Sequence, residues 1–312
     1  MKKVTLFGST GLLGQEVLKT SAEKYLIYQP TSQDVNLLKS IDLTLNNFNL
    51  DLWINCAARV GGVKANSQFV SDFFDQNIEI GLNTLKGAHS LNVKKVVSIL
   101  STCIYPDAEY VDYPLTENQL HNGPPHHSNF GYAYAKRMLD VQSRAYRQQY
   151  GCNFITVVPN NLYGPHDNYD LNSGHVIPSL IRKFFEAQQS ASDVVIWGSG
   201  KPLREFTFAR DAAAAIWWCA ENYNEPEPVN IGCTDQISIG DLAYLIGKIM
   251  SFKGQIKFDS SKPDGQFKKP SSNNKLRSLG YNKKYSSLES GLTETIEHFS
   301  KNYPFLRGIN QS

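Results

Sequence analysis

Short apolar runs alternate with longer segments of helical pattern along the first half of the chain. The helical segments are residues 12–24, 74–91 and 135–150. The apolar runs predict strands, and they are VTLF (4–7), LIYQ (26–29), DLWINCAA (51–58), KKVVSILST (94–102) and NFITVVPNNLYG (153–164). Strands that alternate with helices predict βαβ units, and nearly continuous apolar strands are typical of a sheet covered on both faces. The predicted fold class is therefore α/β, with a doubly wound parallel sheet.

The pattern changes after Gly164. Residues 166–175 are polar and loop-like, and further strand candidates follow at 194–198, 227–232 and 255–259 with helices between them. The chain has 312 residues, which is enough for two domains. We expect a first domain at 1–165 with a return segment at about 208–231, and a smaller α/β domain at 166–207 and 232–312. The serine-, proline- and lysine-rich segment 260–274 is expected to be either disordered or ordered by a ligand.

Composition and charge narrow the possible partners. The formal net charge is +2 and there is no run of like charges, so neither nucleic acid nor a membrane is an expected partner. The longest apolar block, residues 212–220, is far below membrane-spanning length, and the start MKKVTLFGST is too short in its apolar part for a signal peptide. We expect a cytoplasmic protein with reduced thiols, because its cysteines are scattered and odd in number: Cys56, Cys103, Cys152, Cys219 and Cys233.

A glycine motif follows the first predicted strand and opens the first helix. Gly8, Gly11 and Gly14 have the spacing GxxGxxG. Glycines at such a turn let the backbone approach a pyrophosphate, which then lies at the helix N-terminus. The motif at this place predicts a dinucleotide-binding Rossmann domain. A glycine turn that serves packing alone is the alternative.

The tip of the second strand bears on the choice between NAD and NADP. An acidic residue there would bind a ribose 2′-hydroxyl and repel a 2′-phosphate, but the tip reads YQPTSQ. Asp34 lies twenty residues after Gly14, yet past the strand, and we interpret it as a cap or an adenine-side residue. The hydroxyls of Thr31 and Ser32 could take a phosphate. The tip therefore favours NADP, and the expected cofactor is NADPH.

Three polar residues suggest chemistry beside the cofactor. Tyr132 and Lys136 are four positions apart, so on a helix they share a face. A lysine ammonium near a phenol lowers the phenol pKa, and the tyrosine could then deliver a proton to a carbonyl near neutral pH. Ser101 follows the fourth predicted strand, at the sheet edge where open α/β sheets bind ligands, and it would hydrogen-bond the same oxygen.

These residues resemble the extended short-chain dehydrogenase/reductase family, and the strings REFTFARD (204–211) and NLYGP (161–165) resemble further motifs of that family. Longer strings narrow the resemblance to members that epimerise GDP-4-keto-6-deoxy-mannose at C3 and C5 and then reduce it at C4 with NADPH. These strings are CAARVGGVKAN, STCIYP, HNGPPHHSNFGYAYAKRMLDVQ, NLYGPHDN, GHVIPSLI, VIWGSGKPLREF and SKPDGQFKK. The resemblance covers nearly the whole chain and implies a homodimer, formed through the two long helices of the cofactor domain.

The resemblance also implies catalytic roles. The 4-keto group makes the hydrogens at C3 and C5 acidic, and inversion needs a base on one face and an acid on the other. The family pattern gives these roles to Cys103, as a thiolate base, and to His175 as the acid. Tyr132 would protonate the 4-oxygen during reduction. Lys136 would hold the nicotinamide ribose and Ser101 would orient the ketone.

Two sets of binding residues are carried over from the family. The cofactor set is Gly8, Ser9, Thr10, Gly11, Leu12, Leu13, Gly14, Ser32, Ala57, Ala58, Leu100, Ser101, Tyr132, Lys136, Pro159, Leu162 and His175. The substrate set is Asn161, Lys183, Trp197, Arg204, Asp264 and Lys269. The chain departs from the pattern at Thr10 and Ser32, where relatives use arginine for the 2′-phosphate, and at Lys183, where some relatives have an arginine with its bidentate fork.

Several of these residues have a purely structural alternative. Cys103 taken alone would be a small buried hydrophobe, as most free cysteines are. His175 could be a loop histidine that caps a helix starting near Val176, and Trp197 could be a core aromatic that ends a strand. The cluster His121, His126 and His127 could bind a metal, but no carboxylate or cysteine joins it and two prolines stiffen it. We therefore interpret HNGPPHH as a loop that covers the substrate, and we expect no metal.

Competing functions differ in the residues that they need. A 4,6-dehydratase needs an acid pair just after the strand-end serine, whereas STCIYP offers a thiol and no carboxylate before Asp107. A plain 4-ketoreductase would not need Cys103 and His175, and a 4-epimerase would need no external reductant. A non-catalytic regulator that senses the cofactor could dispense with Tyr132 or Lys136, yet both are present.

Overall fold

The computed structural model describes residues 1–21, 23–42, 48–262 and 264–309. Its strands are β1 Lys2–Phe7, β2 Tyr25–Tyr28, β3 Leu52–Asn55, β4 Val96–Ile99, β5 Phe154–Pro159, β6 Asn161–Tyr163, β7 Val194–Trp197, β8 Leu203–Phe208, β9 Val229–Ile231, β10 Gln236–Ser238 and β11 Ile256–Asp259. A six-stranded sheet has the order β2-β1-β3-β4-β5-β9, and all of its strands are parallel. The predicted parallel sheet is confirmed.

Helices cover both faces of this sheet. The helices are α1 Leu12–Lys19, α2 Val63–Gln68, α3 Val70–Ser90, α4 Phe130–Tyr150, α5 Val176–Ser190, α6 Ala209–Asn222, α7 Ile239–Ile249, α8 Asn274–Ser278 and α9 Leu288–Asn302. Helices α1 and α6 pack together on one face, and α3 and α4 pack together on the other. Because each face carries its own hydrophobic core, the strands between them are apolar on both sides, as predicted.

Two smaller sheets form beyond the large one. Strand β8 lies between β10 and β6, and β7 pairs with β11. They enclose a third hydrophobic core together with α5, α7 and α9. In the part of the chain that the structure describes, no helix has the length and apolar content that crossing a bilayer requires.

The run 153–164 was expected to be one strand and is two, in different sheets. Asn160 separates them and its buried side chain explains the break. Its amide donates to the Cys233 carbonyl at 2.6 Å, and its oxygen accepts from the Thr207 hydroxyl at 2.6 Å. A buried polar group needs such partners. These bonds hold the chain where it leaves the large sheet, at the carboxyl end of β5.

Other differences are smaller. Helix α1 ends at Lys19 instead of continuing to residue 24, and Ala22 lies outside the described residues. Strands β8 and β10 were not predicted. Apart from Pro263, which is outside the described residues, segment 260–274 is held to the rest of the protein. Ser271 is buried and bonds to Glu205, and α8 begins at its end.

Candidate active site

The glycine turn forms a tight cradle at the carboxyl edge of the large sheet. Gly8 has φ +75°, and a side chain there would meet the Ala57 nitrogen at 2.6 Å. A side chain at Gly14 would meet the Gly8 carbonyl oxygen at 2.0 Å. The turn therefore packs closely against the end of β3 and against the first turn of α1. This geometry leaves main-chain groups facing the helix N-terminus, which suits a pyrophosphate.

The tip of β2 is organised by Asp34. Its carboxylate accepts from the Thr31 backbone nitrogen at 2.8 Å and from the Thr31 hydroxyl at 2.7 Å. Asp34 is thus bonded within its own turn, as the interpretation as a cap expects, and the adenine-side alternative stays a prediction. The Thr31 hydroxyl donates to Asp34, so Ser32 carries the hydroxyl at this tip that is left for a 2′-phosphate, although its contacts with a cofactor stay a prediction.

Ser101, Tyr132 and Lys136 converge beyond the end of β4. Helix α4 buries both the tyrosine and the lysine, and Ser101 hydrogen-bonds with the Tyr132 phenol. The Lys136 ammonium donates to the Ile99 carbonyl at 3.0 Å. Burial lowers the pKa of Lys136 to about 8, with a smaller opposing effect from Cys56.

The expected pKa of Tyr132 differs from what the structure gives. We expected the lysine to lower it, but burial raises the pKa of Tyr132, the nearby Cys103 adds to the rise, and the Ser101 hydrogen bond opposes it. The Lys136 ammonium donates to the Ile99 carbonyl of β4 and not to the phenol. The phenol is therefore a protonated group, in the state that a proton donor needs.

Cys103 is a half-buried thiol packed beside Tyr132. Burial acts to raise its pKa, yet the charge of Lys269 opposes burial, with help from hydrogen bonds to Ser101 and Asn129 and from the charge of His175. The balance holds the pKa of Cys103 below its ordinary value. A lowered thiol pKa is typical of a reactive cysteine and favours that role over the alternative of a small buried hydrophobe.

Cys56 is a contrasting cysteine. Burial raises the pKa of Cys56 to about 12, although the charge of Lys136 acts to lower it. Proximity of a lysine alone therefore does not activate a thiol in this protein.

His175 immediately precedes α5, as expected from the sequence, but its side chain makes no capping hydrogen bond. The imidazole is 45% exposed, and its Nδ1 lies 4.0 Å from a carboxylate oxygen of the buried Asp167. Burial would lower the pKa of His175, but Asp167, acting as a bond partner and by its charge, and then Cys103 raise it above its ordinary value. The side chain is thus free of a capping role and is biased toward the protonated form.

Trp197 ends β7 and is 55% exposed, so the core-aromatic alternative is wrong. Three lysines surround its ring. The ammonium groups of Lys64, Lys183 and Lys262 lie 5.9, 5.9 and 5.8 Å from the ring centroid. They come from α2, from α5 and from segment 260–274. An exposed indole among several cations can bind an aromatic ring that carries phosphate groups.

The remaining substrate candidates lie along β6, β8 and segment 260–274. Asn161 donates to the Glu205 carbonyl at 2.7 Å, and Asp264 accepts from Ser199 at 2.6 and 2.8 Å. Arg204 is bonded to neighbouring carbonyls and interacts electrostatically with Cys103. Arg204 is therefore a member of this group whose charge acts on the Cys103 thiol.

Most of the large apolar side chains of the cofactor set are packed inside the protein. Leu13, Leu100 and Pro159 are buried, and Leu162 is partly buried against the core beneath α1 and α6. Any contact of the three buried residues with a cofactor would come from their main chain. Ala57 and Ala58 follow β3 at the same edge, and the Ala57 nitrogen donates to the Asn55 side chain at 3.0 Å.

The three histidines of HNGPPHH do not converge on one point. His121 lies 3.5 Å from the Asp140 carboxylate, whereas His126 bonds to the Ser128 hydroxyl at 2.8 Å and its ring lies 4.2 Å from that of His127. Within the described ranges, no three His, Cys, Asp or Glu side chains are grouped so as to hold a metal ion.

Sequence reasoning assigned no role to Asn129, Asp167, Lys64 or Lys262. Asn129 touches the thiol, Asp167 supports His175, and the two lysines lie over Trp197. Asn129, Asp167, Lys64 and Lys262 lie inside strings that carry the family resemblance, which is the signal that could have found them.

Comparison with known proteins agrees with this geometry. The chain matches the NAD dependent epimerase/dehydratase family over residues 4–232. It is 44% identical to a GDP-L-fucose synthase of Dictyostelium discoideum, with 98% of each chain covered, and 36% identical to that of Escherichia coli K12, with 98% and 99% covered. A crystal structure of a GDP-L-fucose synthetase from Naegleria fowleri bound to NADP matches with a TM-score of 0.90 at 38% identity, over 98% of this chain and 96% of that one. The chain therefore belongs to the NAD dependent epimerase/dehydratase family and, within it, to the GDP-L-fucose synthases.

Proposed function

We propose that this protein converts GDP-4-keto-6-deoxy-D-mannose to GDP-L-fucose, by epimerisation at C3 and C5 followed by NADPH-dependent reduction at C4. The observation that carries the proposal is the convergence of an activated thiol, Cys103, with His175 and Tyr132 beside a dinucleotide cradle. A plain reductase needs the tyrosine alone. A thiol with a lowered pKa and a histidine with a raised pKa are suited to act as a base and an acid.

The residues of the cradle fit the proposed cofactor. The turn from Gly8 to Gly14 is too close to backbone for any side chain at its two ends, so main-chain groups could approach a pyrophosphate there. Lys136 is positioned by the Ile99 carbonyl and would hold the nicotinamide ribose. NADPH bound in this cradle supplies the hydride for C4.

The epimerisation steps are assigned to Cys103 and His175. The Cys103 thiolate takes the proton from the carbon next to the ketone, and the C–H electron pair moves into the carbonyl to form an enolate. His175 then gives its proton to that carbon from the opposite face, which inverts the centre. Before the second centre reacts, Cys103 releases its proton to solvent and His175 takes one up. The Ser101 hydroxyl donates to the enolate oxygen, which lowers the barrier.

The reduction step is assigned to Tyr132 with Ser101. As C4 is reduced, the 4-oxygen gains negative charge, and the phenol proton of Tyr132 neutralises it. The Ser101 hydroxyl bonds to the phenol and would orient the same oxygen. Because burial keeps Tyr132 protonated, it is suited to act as the donor.

The nucleotide part of the substrate is assigned to the exposed indole of Trp197 and the cations around it. Guanine would stack on the ring, and Lys183, Lys64 and Arg204 would face the diphosphate. Asn161, Asp264 and Lys269 would complete this subsite. These residues support a division into a cofactor domain (1–165 and about 208–231) and a substrate domain (166–207 and 232–312).

Two copies of the chain are proposed to pair through α3 and α4. Large apolar side chains are exposed on these helices and at the residue before α3, and they are Phe69, Val70, Phe74, Phe130, Met138 and Val141. Such a patch marks an interaction surface. Phe74→Glu is expected to shift the protein to monomer in light scattering, whereas Phe305→Glu, at an exposed phenylalanine outside this patch, leaves the mass unchanged. A wild-type monomer would refute the pairing.

A cytoplasmic location is proposed for the protein. Its five cysteines are all free thiols, which supports a reducing compartment. Fractionation of cells that produce the protein would test this.

The function is tested by identifying the product. We expect wild type to form GDP-L-fucose from GDP-4-keto-6-deoxy-D-mannose and NADPH, as read by NMR. Cys103→Ser should still oxidise NADPH but give a product that keeps the original C3 and C5 configurations. Cys152→Ser, at another partly exposed free cysteine, is the matched control and should behave as wild type. A wild-type product without inversion would identify a plain 4-ketoreductase and refute the proposal.

A further inference from the structure

Lys269 has a second role besides the nucleotide contact expected from its position. We propose that Lys269 is a positioning residue that acts through Cys103, and that its ammonium holds the side chain of that cysteine as a thiolate where the substrate carbon is presented. This inference rests on the proposed function, in which Cys103 is the base. Under this inference, segment 260–274 both contacts the nucleotide and activates the Cys103 base.

The contact itself is direct. The Lys269 ammonium lies 3.7 Å from the Cys103 sulfur, although the two residues are 166 positions apart in the chain. Both side chains are only partly buried, so the charge pair is not sealed inside a hydrophobic core. An ammonium at this distance favours the thiolate over the neutral thiol.

The backbone on either side of Lys269 is fixed by the body of the protein. The Lys268 carbonyl accepts from the Tyr113 hydroxyl at 2.9 Å, and the Pro270 carbonyl accepts from the Leu115 nitrogen at 2.8 Å. Bonds at both neighbours restrict the path of the main chain at Lys269. The lysine is thereby aimed at the sulfur by its backbone as well as by its charge.

A buried anchor lies just beyond. Glu205 on β8 is 2% exposed, and its carboxylate accepts from the Ser271 nitrogen at 2.9 and 3.1 Å and from the Ser271 hydroxyl at 2.6 Å. An exposed surface loop has no need of a buried carboxylate, which is costly to place. The anchor is explained if the position of Lys269 must be held closely.

The groups that face Cys103 come from several elements. Lys269 approaches from segment 260–274, His175 from the start of α5, and Arg204 from β8. The hydroxyl of Ser101 and the amide of Asn129 supply hydrogen bonds. Lys269 is the strongest of the influences that lower the pKa of the thiol, and burial, which raises it, is the largest opposing one. Removal of the lysine charge should therefore leave burial in control, as it is at Cys56.

The test reads the thiol without any substrate. Alkylation of Cys103 by iodoacetamide, followed peptide by peptide in mass spectrometry across a pH series, reports its thiolate fraction. At neutral pH we expect Lys269→Met to slow alkylation by at least about fivefold, the factor for a charge pair near 4 Å screened as in bulk water. Lys269→Arg should restore most of the rate. Lys268→Met, which removes the adjacent ammonium from the face of Tyr113, is the matched control and should leave it unchanged.

A second readout follows the chemistry. Deuterium exchange at C5 of the keto sugar needs the thiolate, so its acidic limb should move to higher pH in Lys269→Met and return in Lys269→Arg. Unchanged alkylation in folded Lys269→Met would overturn the inference and leave Lys269 as a substrate contact only, with the proposed function intact. An equal slowing in Lys268→Met would also overturn it. If wild type fails to epimerise but its alkylation still depends on Lys269, the proposed function fails and the contact stands.

Discussion

Gly8→Ala is expected to damage the dinucleotide cradle. The added Cβ would clash with neighbouring backbone, and this effect can be separated from the cost of the positive φ angle. Gly8 has φ +75°, and a Cβ there would lie 2.6, 2.7 and 2.8 Å from backbone atoms of Cys56 and Ala57. Real Cβ atoms stay at least 3.0 Å from such atoms, so the turn or the end of β3 must move by at least 0.4 Å (3.0 minus 2.6). Neither backbone can yield as a flexible side chain would.

The chain offers a matched control. Gly151, which ends α4, has φ +69°, and a Cβ there would meet nothing within 4 Å. Both substitutions carry the cost of a left-handed residue, about 1–2 kcal/mol. Gly8→Ala adds the cost of overpacking, about 1–3 kcal/mol.

Thermal unfolding and NADPH titration separate the two contributions. At about 2 °C per kcal/mol for a chain of this size, we expect Gly151→Ala to lower Tm by about 2–4 °C and Gly8→Ala by about 4–10 °C. If the turn relaxes instead of resisting, the same strain appears as a loss of NADPH affinity of about tenfold for each 1.4 kcal/mol. Equal Tm losses in the two variants, with wild-type NADPH affinity in both, would refute the reasoning.

Three further predictions concern protonation. Tyr132→Phe should slow NADPH oxidation by about 10²–10⁴ and leave solvent exchange at C5 largely intact; equal loss of both would contradict a role confined to reduction. Asp167→Asn should move the alkaline limb of the pH–rate profile to lower pH, because Asp167 raises the pKa of His175 and the acid must be protonated; an unmoved limb would contradict that support. Burial lowers the pKa of Lys95 from 10.5 to about 8, so the unfolded chain binds the extra proton between these values. Wild type should therefore gain stability over Lys95→Met as the pH rises through this range, and parallel urea-unfolding curves would contradict it.

The large sheet could be predicted from the sequence because the patterns that indicate it are local. Apolar strands, the spacing of Gly8 and Gly14, and the four-residue interval between Tyr132 and Lys136 are each visible over a few consecutive residues. The same holds for Ser101, since the end of a parallel strand marks the ligand edge whatever the rest of the fold does.

What could not be predicted depends on residues far apart in sequence. The break at Asn160 requires Cys233 and Thr207, which only the folded chain brings to it. The contact of Lys269 with Cys103 likewise joins residues that are 166 positions apart in the chain. Burial also depends on the tertiary structure. For this reason the predicted direction of the Tyr132 pKa shift was wrong, and the exposure of Trp197 could not be predicted.

The central claim is that Cys103 removes protons from carbon in a chain that also reduces C4. The protein should be incubated with GDP-4-keto-6-deoxy-D-mannose in D₂O, with and without NADPH, as wild type and as Cys103→Ser. We expect deuterium at C3 and C5 in wild type but not in the variant, and GDP-L-fucose only when NADPH is present. Reduction by wild type without deuterium at either carbon would contradict the claim and return Cys103 to the role of a structural thiol.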